Sequence, residues 1–293
     1  MSFTLPSFAK INLHLEVLGK RSDGFHDICT VFQTVSLHDK LTFASCDNVR
    51  LTCDDLQIPT DDRNLIVKAA AILRERGPIN AGASIHLEKR IPSPGGLGGG
   101  SSNAAAALIG LVKLWHIEIS QEELANVAAA IGSDVPFFLH GGTAVGTGPG
   151  TGITPVNDFA GEYMLIVTPD VAVLTKEAFE GLNLTTEGAK SILNNCRFDG
   201  KSIDLHHSAI RNDFETTIFA AHPEIRMVKQ TLLDLGASKA MMSGSGASVF
   251  GIFDKEETRQ ATQKALEKNL NWRMFAVAAI SRNEYREALG ITF

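Results

Sequence analysis

The chain has little cysteine: four residues in 293, namely Cys29, Cys46, Cys53 and Cys196, and no two are spaced as C-x-x-C. Zinc sites and redox pairs usually show such spacing, and small disulfide-stapled folds need a denser framework. The pattern therefore predicts free thiols in a reducing compartment. We expect a cytoplasmic protein without a zinc site.

Long apolar runs and an excess of positive charge are also missing. No stretch approaches the ~20 apolar residues of a membrane helix, and Lys10 and Glu16 interrupt the segment where a signal peptide would be apolar. The formal net charge of −6 argues against a general nucleic-acid binder. We expect neither a membrane nor a nucleic-acid partner, and an anionic ligand would need a local cationic pocket.

Glycine, in contrast, is concentrated between residues 92 and 102. An alternating segment (83–91) predicts a strand before this stretch, and an alanine-rich segment (104–114) predicts a helix after it. A glycine turn entering a helix presents free backbone N–H groups and the positive end of the helix dipole, a combination that binds phosphate. The predicted phosphate loop consists of Pro92, Ser93, Pro94, Gly95, Gly96, Leu97, Gly98, Gly99, Gly100, Ser101 and Ser102.

This loop differs from two common phosphate-binding motifs. Gly100 is followed by Ser101 and Ser102 without the lysine of a P-loop, and the glycine spacing does not fit G-x-G-x-x-G. The phosphates would then be neutralised by a metal ion, held partly by the hydroxyls of Ser101 and Ser102, and by a cation from elsewhere in the chain.

Two further segments carry polar residues that the sequence alone leaves open. Residues 10–17 alternate as a strand with one buried face, so Lys10 and Asn12 project together, either into solvent or into a site. For His14 and Glu16 on the same face we favour solvent. Asp134, between a glycine and an apolar stretch, is either a helix N-cap or a functional carboxylate.

The chain divides near residues 157–161, where its character changes. We expect one domain over 1–157 and a second over 158–293, whose alternating helices and antiparallel strands are an α+β pattern. We also expect a turn at His38–Asp39 and a loop over 143–154. The predicted helices are 64–76, one opened by Ser120 and closed by Gly132, and 175–182, 186–194, 223–235 and 256–268.

Three separated motifs, at residues 6–13, 95–102 and 243–247, together resemble the signatures of the GHMP small-molecule kinases. Within that group, segments 9–13, 23–26, 97–103, 133–136 and 211–215 resemble the family of 4-diphosphocytidyl-2-C-methylerythritol kinases. The resemblance runs from about residue 6 to 280, and the order and spacing of the motifs are more specific than any one of them.

The resemblance implies a two-domain α+β fold, with an N-terminal domain like ribosomal protein S5 domain 2, a ferredoxin-like C-terminal domain and the active site in the cleft. It implies transfer of the γ-phosphoryl group of ATP, with Mg²⁺, to the 2-hydroxyl of 4-diphosphocytidyl-2-C-methyl-D-erythritol, in the non-mevalonate route to isoprenoids. It makes Lys10 and Asp134 catalytic and Pro92–Ser102 the ATP loop. The implied substrate contacts are Asn12, Phe25, His26, Phe32, Thr175 and Phe179.

Three positions depart from the family pattern: Phe25 stands where tyrosine is common, Pro94 where glycine is usual, and Thr151 where a glutamate is expected. Two alternatives remain, another GHMP kinase acting on homoserine, mevalonate or a sugar, and a catalytically silent nucleotide-binding relative. Phe25, His26 and Phe179 argue against the smaller substrates, which carry no base to stack. Intact Lys10 and Asp134 argue against a silent relative.

Overall fold

A computed structural model describes residues 2–76, 81–182 and 211–291. The N-terminal half contains a six-stranded sheet built around a long central strand, which pairs antiparallel with three others. Its order is β3-β4-β2-β5-β6, and β1 also pairs with β2. The strands are β1 (Ser2–Lys20), β2 (His26–Cys46), β3 (Arg50–Cys53), β4 (Gly82–Glu88), β5 (Thr143–Gly148) and β6 (Gly152–Pro155).

Three helices pack on this sheet: α1 (Leu65–Glu75), α2 (Gly99–Trp115) and α3 (Gln121–Ile131). The Asn64 side chain accepts a hydrogen bond from the N–H of Ile66 and so starts α1. Ser120 and Glu123 form the predicted capping box of α3. A short 3₁₀ helix (Pro136–Leu139) follows α3 and buries its apolar side chains in the same core.

The second sheet has the order β10-β7-β9-β8 and is antiparallel throughout. Its strands are β7 (Tyr163–Pro169), β8 (Lys239–Met242), β9 (Val249–Phe253) and β10 (Trp272–Val277), with helices α4 (Thr175–Glu180), α5 (Phe214–Ala221), α6 (Pro223–Asp234) and α7 (Glu256–Leu266). This strand order, with helical crossovers before β8 and before β10, is ferredoxin-like. A last helix, α8 (Arg282–Leu289), returns to the core of the first sheet.

The two sheets meet across a third apolar cluster. Ile11 and Leu13 of β1 pack there with Ile166 of β7, Met241 of β8 and Phe250 of β9. One face of β1 is therefore buried against the second half of the chain, which brings residues distant in sequence to one cleft. None of the helices in the described stretches is long and apolar enough to cross a membrane.

Two local predictions are wrong. No turn occurs at His38–Asp39: β2 continues through it, and the buried Asp39 carboxylate accepts from the backbone N–H groups of Arg90 and Ile91. Residues 143–154 are not a loop but the hairpin of β5 and β6. The predicted helix over 186–194 lies outside the described residues.

The expectations for His14 and for the cysteines also need correction. His14 is 6% exposed and not solvated, and its Nδ1 accepts from the N–H of Arg211 at 3.3 Å. Cys29 in β2 is disulfide-bonded, whereas Cys46 and Cys53 carry free thiols. The argument for a reducing compartment from free thiols therefore does not hold for Cys29, and the cytoplasmic location stays a prediction.

Candidate active site

A cavity of about 890 Å³ opens between β1, the predicted phosphate loop, α4 and the segment joining β8 to β9. All of the residues predicted from the sequence line it, with the exception of Ser102. They are Lys10, Asn12, Phe25, His26, Phe32, Pro92, Ser93, Pro94, Gly95, Gly96, Leu97, Gly98, Gly99, Gly100, Ser101, Asp134, Thr175 and Phe179.

Lys10 is a buried cation at the floor of this cavity, 3% exposed. Its Nζ donates to Asn12 Oδ1 at 2.6 Å and to the carbonyl oxygen of Gly96 at 3.0 Å. It also lies 5.6 Å from the centre of the Phe32 ring. Burial lowers the pKa of Lys10, and the neighbouring Asp134 carboxylate acts in the opposite direction. The strand's two-residue period places Lys10 and Asn12 on one face, so the predicted pair does enter a site.

Asn12 is held in place by its own partners. Its Nδ2 donates to Thr30 Oγ1 at 2.7 Å, and that hydroxyl donates to the carbonyl oxygen of His14 at 2.7 Å. Because the amide nitrogen is used in this way, the amide oxygen faces Lys10. The side chain thus fixes the position of the ammonium group.

Asp134 lies in the turn between α3 and the 3₁₀ helix, and its carboxylate points to Lys10. The distance from Lys10 Nζ to Asp134 Oδ2 is 3.6 Å. Its side chain is 32% exposed and lines the cavity. The following 3₁₀ helix has Val135 at its N-cap position without a side-chain cap. The structure therefore uses Asp134 beside Lys10 rather than as a helix cap.

The glycine loop (Pro92–Gly98) delivers the N-terminus of α2 to the cavity. Gly98 precedes the helix with φ of 68°, and among the described residues no side chain caps this end. The first turn also contains no acidic residue. The free N–H groups and the helix dipole face the cavity floor beside Lys10, an environment that favours an anion.

Gly96 requires glycine for two reasons. Its φ is +72°, a left-handed conformation that residues with a Cβ rarely adopt. A Cβ added there would lie 2.0 Å from the carbonyl oxygen of Ser243. The glycine loop is thus in backbone contact with the second half of the chain.

That contact is made by a serine turn (Ser243–Ala247) between β8 and β9. Ser243 Oγ donates to the carbonyl oxygen of Gly96 at 2.9 Å. The N–H of Ser248 donates to the carbonyl oxygen of Gly95 at 3.2 Å. Thr175, at the start of α4, joins the arrangement through its hydroxyl, 3.1 Å from Ser245 Oγ.

Ser101 and Ser102 differ in what they can bind. Ser101 lines the cavity in the first turn of α2. Ser102 is 1% exposed, and its Oγ accepts from Ser7 Oγ at 2.8 Å on the core side of the helix. Consecutive helix positions point about 100° apart, so Ser101 and Ser102 cannot both face the cavity. The expectation that Ser102 contributes to the phosphate site and binds a metal ion does not match this placement.

The far end of the cavity is aromatic. The rings of His26 and Phe179 stack on each other, with centroids 4.5 Å apart and planes 14° from parallel. Phe25, 59% exposed, lies beside them on the cavity wall. At this spacing no flat base fits between His26 and Phe179. The base that the family resemblance implies would therefore stack on the outside of the pair, or the two rings would separate.

An ion-pair network fixes the loop that carries Phe25 and His26. Arg21 donates to both carboxylate oxygens of Asp23, and to Asp27 Oδ1 at 2.8 Å. The N–H of Phe25 donates to Asp23 Oδ1 at 3.1 Å, and the N–H of Arg21 donates to the carbonyl oxygen of Phe25 at 2.8 Å. These bonds connect the loop to the start of β2, where His26 pairs with Lys20 of β1.

Sequence reasoning missed several residues of the cavity. Lys20 and Lys176 line its wall, and Leu65 and Pro149 add apolar surface. Lys20 also lowers the pKa of His26, although burial contributes more to that shift. Proximity to His26 across the five-residue loop 21–25 was the only signal for Lys20, and the sequence carried none for Lys176.

Comparison with known proteins agrees with this geometry. The chain matches the GHMP kinases N terminal domain over residues 64–142 and the GHMP kinases C terminal domain over residues 197–271. A crystal structure of a 4-(cytidine 5'-diphospho)-2C-methyl-D-erythritol kinase superposes with a TM-score of 0.76 at 30% identity, covering 95% of this chain and 99% of that one. A crystal structure of a homoserine kinase from Cytophaga hutchinsonii is 20% identical and superposes with a TM-score of 0.67. The match covers 97% of this chain and 96% of that one and shows a shared fold.

Curated relatives narrow the family. The 4-diphosphocytidyl-2-C-methyl-D-erythritol kinase of Syntrophotalea carbinolica is 38% identical over 96% of this chain and 99% of its own. The enzyme of the same name from Thermoanaerobacter pseudethanolicus is 39% identical over 87% of this chain and 89% of its own. The chain belongs to the 4-diphosphocytidyl-2-C-methyl-D-erythritol kinase family, within the GHMP kinases.

Proposed function

We propose that the protein transfers the γ-phosphoryl group of ATP to the 2-hydroxyl of 4-diphosphocytidyl-2-C-methyl-D-erythritol, the compound named in its relatives, in the non-mevalonate pathway. One observation carries the proposal. The buried Lys10 and the partly exposed Asp134 lie beside the uncapped N-terminus of α2, in a cavity whose other end is aromatic. This arrangement suits a phosphate donor at one end and a base at the other.

Phosphoryl transfer depends on positioning and charge neutralisation more than on covalent catalysis. In the proposed mechanism Asp134 accepts the proton of the 2-hydroxyl as the oxygen attacks the γ-phosphorus, and the bond from that phosphorus to the bridging oxygen breaks, so that ADP leaves with the electron pair. Lys10 stabilises the developing alkoxide and the equatorial oxygens of the phosphoryl group. Asn12 and the carbonyl of Gly96 hold the ammonium group in place for this role.

The donor site is proposed to be the glycine loop and the first turn of α2, where backbone N–H groups bind the phosphates of ATP. Within the described residues, no group of three or more histidine, cysteine, aspartate or glutamate side chains could hold a metal ion by itself. The Ser101 hydroxyl is an oxygen donor of the kind that Mg²⁺ accepts together with nucleotide phosphates. Bound Mg²⁺ would neutralise phosphate charge there.

The acceptor end is proposed to bind the cytidylyl group against Phe25, His26 and Phe179, with Phe32 and Thr175 on the wall between base and loop. The lowered pKa of His26 keeps its imidazole neutral at physiological pH, so one ring nitrogen can accept a hydrogen bond from a base edge. The domains remain those proposed from the sequence, 1–157 and 158–293, with α8 packing back on the first.

Assays with ATP and four acceptors test the proposal: the cytidylyl compound, its uridylyl analogue, homoserine and mevalonate. We expect ATP consumption with the cytidylyl compound, phosphate on its 2-oxygen by ³¹P NMR, and poor turnover of the uridylyl analogue. Turnover of homoserine or mevalonate but not the cytidylyl compound would reject it. Nucleotide binding without turnover of any acceptor would indicate a silent relative.

A further inference from the structure

The segment Arg211–Glu215 was singled out in the sequence but has no role in the proposed chemistry. At its centre, Asn212 is 4% exposed and does not line the cavity. Its Nδ2 donates to the carbonyl oxygens of Met242 and Gly244, each at 2.8 Å. Its Oδ1 accepts from the N–H of Phe214 at 3.0 Å. The two carbonyls belong to the end of β8 and to the serine turn.

Backbone hydrogen bonds fix this segment to β1. The N–H of Leu15 donates to the carbonyl oxygen of Arg211 at 2.7 Å, and the N–H of Asp213 donates to the carbonyl oxygen of Leu15 at 3.0 Å. The Asp213 carboxylate accepts from the N–H of Val17 at 2.8 Å. Asn212 is therefore anchored to the same strand that carries Lys10, while its side chain holds the serine turn.

The serine turn in turn holds the glycine loop. The carbonyl oxygen of Gly96 accepts from both Ser243 Oγ and Lys10 Nζ. Asn212 therefore contacts the serine turn, the serine turn contacts the carbonyl oxygen of Gly96, and that oxygen accepts from Lys10 Nζ. Two buried carbonyls that face one amide nitrogen need both of its N–H groups, and a carboxylate in that place would repel them.

We propose that Asn212 is a positioning residue for the ATP site: by fixing the serine turn it sets the glycine loop and the ammonium group of Lys10 for phosphate binding. The role of ATP rests on the proposed function, but binding of a nucleotide can be measured without any acceptor. Asn212 touches neither ATP nor acceptor in this proposal, so its effect is transmitted through Ser243 and Gly96.

The test uses Asn212→Asp, Asn212→Ala and the partial replacement Asn212→Ser in the full chain. Calorimetry with a non-hydrolysable ATP analogue should show affinity weakened about tenfold to a hundredfold for Asp and Ala, because the released serine turn and glycine loop must be ordered again when the analogue binds. Ser, which keeps one donor, should give an intermediate affinity. Affinity for the cytidylyl compound should change less than affinity for the analogue, because Asn212 reaches the aromatic end only through its Oδ1 bond to the N–H of Phe214, whose ring packs against Phe179.

Asp213→Asn is the matched control, since it disturbs the same segment but leaves both bonds of Asn212 to the turn. It should lower thermal stability without changing analogue affinity. In a double-mutant cycle, Asn212→Ala and Ser243→Ala should be non-additive, because both act through the Gly96 carbonyl. Unchanged analogue affinity in folded Asn212→Asp, or additive effects in the cycle, would overturn the proposal. If Asn212→Asp does not fold, the analogue affinity of Asn212→Ser and its additivity with Ser243→Ala are measured instead, and unchanged affinity or additive effects would again overturn the proposal.

Failure of the proposed function is distinguishable from failure of this inference. If the unmutated protein binds the ATP analogue but does not phosphorylate the cytidylyl compound, the acceptor assignment is wrong while the Asn212 series still reports on the nucleotide site. If the unmutated protein does not bind the analogue, the inference is rejected as well.

Discussion

At the scale of single residues, Asp134 is the group on which the proposed chemistry depends most. Replacing it with asparagine keeps the shape and removes the base, so we expect kcat to fall by about 10²–10⁴-fold with the fold intact. Steady-state kinetics with circular dichroism measure both. Asp170→Asn, an exposed carboxylate outside the cavity, is the control. A folded Asp134→Asn protein with ordinary kcat would remove Asp134 from the mechanism.

Lys10 gives a second prediction, on pH. Burial, the larger cause, lowers its pKa below the ordinary 10.5, and Asp134 opposes that shift. A lowered pKa means that the ammonium loses its proton as pH rises through that lower value. The pH profile of kcat should therefore have a basic limb below 10.5, and Asp134→Asn should move the limb to still lower pH. A limb that moves upward in the variant would contradict this assignment.

His26 allows a similar test at the acceptor end. Burial and then the positive charge of Lys20 lower its pKa below 6.5. The imidazole becomes charged only as pH falls through this lowered value, so KM for the cytidylyl compound should rise on that acid side. Lys20→Gln removes one cause and should shift the limb to higher pH without shifting KM for ATP. Lys176→Gln, another cavity lysine, serves as control, and an equal shift there would show that the effect is not specific to Lys20.

At the scale of elements, the glycine loop depends on close approach as well as on backbone freedom. Gly96→Ala adds a Cβ at φ +72° and 2.0 Å from the Ser243 carbonyl, so the loop and the serine turn must separate. We expect weaker ATP-analogue binding and reduced kcat. Gly290→Ala introduces similar strain at φ +64° with nothing within 4 Å and should cost stability alone. Calorimetry and thermal melts of both variants compare the two effects.

Elements with strong local signals could be predicted from the sequence. The alternating 83–91 segment became β4, the capping box at Ser120 opened α3, and the alanine-rich stretch became α2. Helix α8 carries the same capping-box signal, at Ser281 and Glu284. Asp39 suggested a turn, because nothing local shows that its carboxylate will bind backbone N–H groups fifty residues away.

The candidate site was predictable in its parts but not in its contacts. The residues of the glycine loop indicated a phosphate site, the family resemblance indicated Lys10 and Asp134, and all of them line one cavity. The sequence could not indicate that His26 and Phe179 stack on each other, or that Lys20 and Lys176 line the cavity wall. Ser102 was misplaced because helix rotation turns it to the core. Such features depend on side-chain directions set by packing between segments.

At the scale of the whole molecule, both halves of the chain build the end of the cavity that we propose binds the nucleotide. The glycine loop comes from the first half and the serine turn from the second, and they share hydrogen bonds at Gly95 and Gly96. Behind them, β1 packs on the second sheet through Ile11 and Leu13. A ligand bound at this junction contacts structure from both sheets, so its binding energy stabilises them together.

This coupling leads to a prediction on thermal unfolding. Because the sheets share an apolar interface, we expect one cooperative transition in calorimetry rather than two. ATP analogue at 100 times its Kd adds about 2.7 kcal/mol to the native state, and an unfolding entropy near 2.1 cal/mol/K per residue converts this into a Tm increase of about 3–5 °C. The single transition should move as a whole. Two transitions, of which the analogue shifts only one, would mean that the halves unfold independently and that the nucleotide contacts one of them alone.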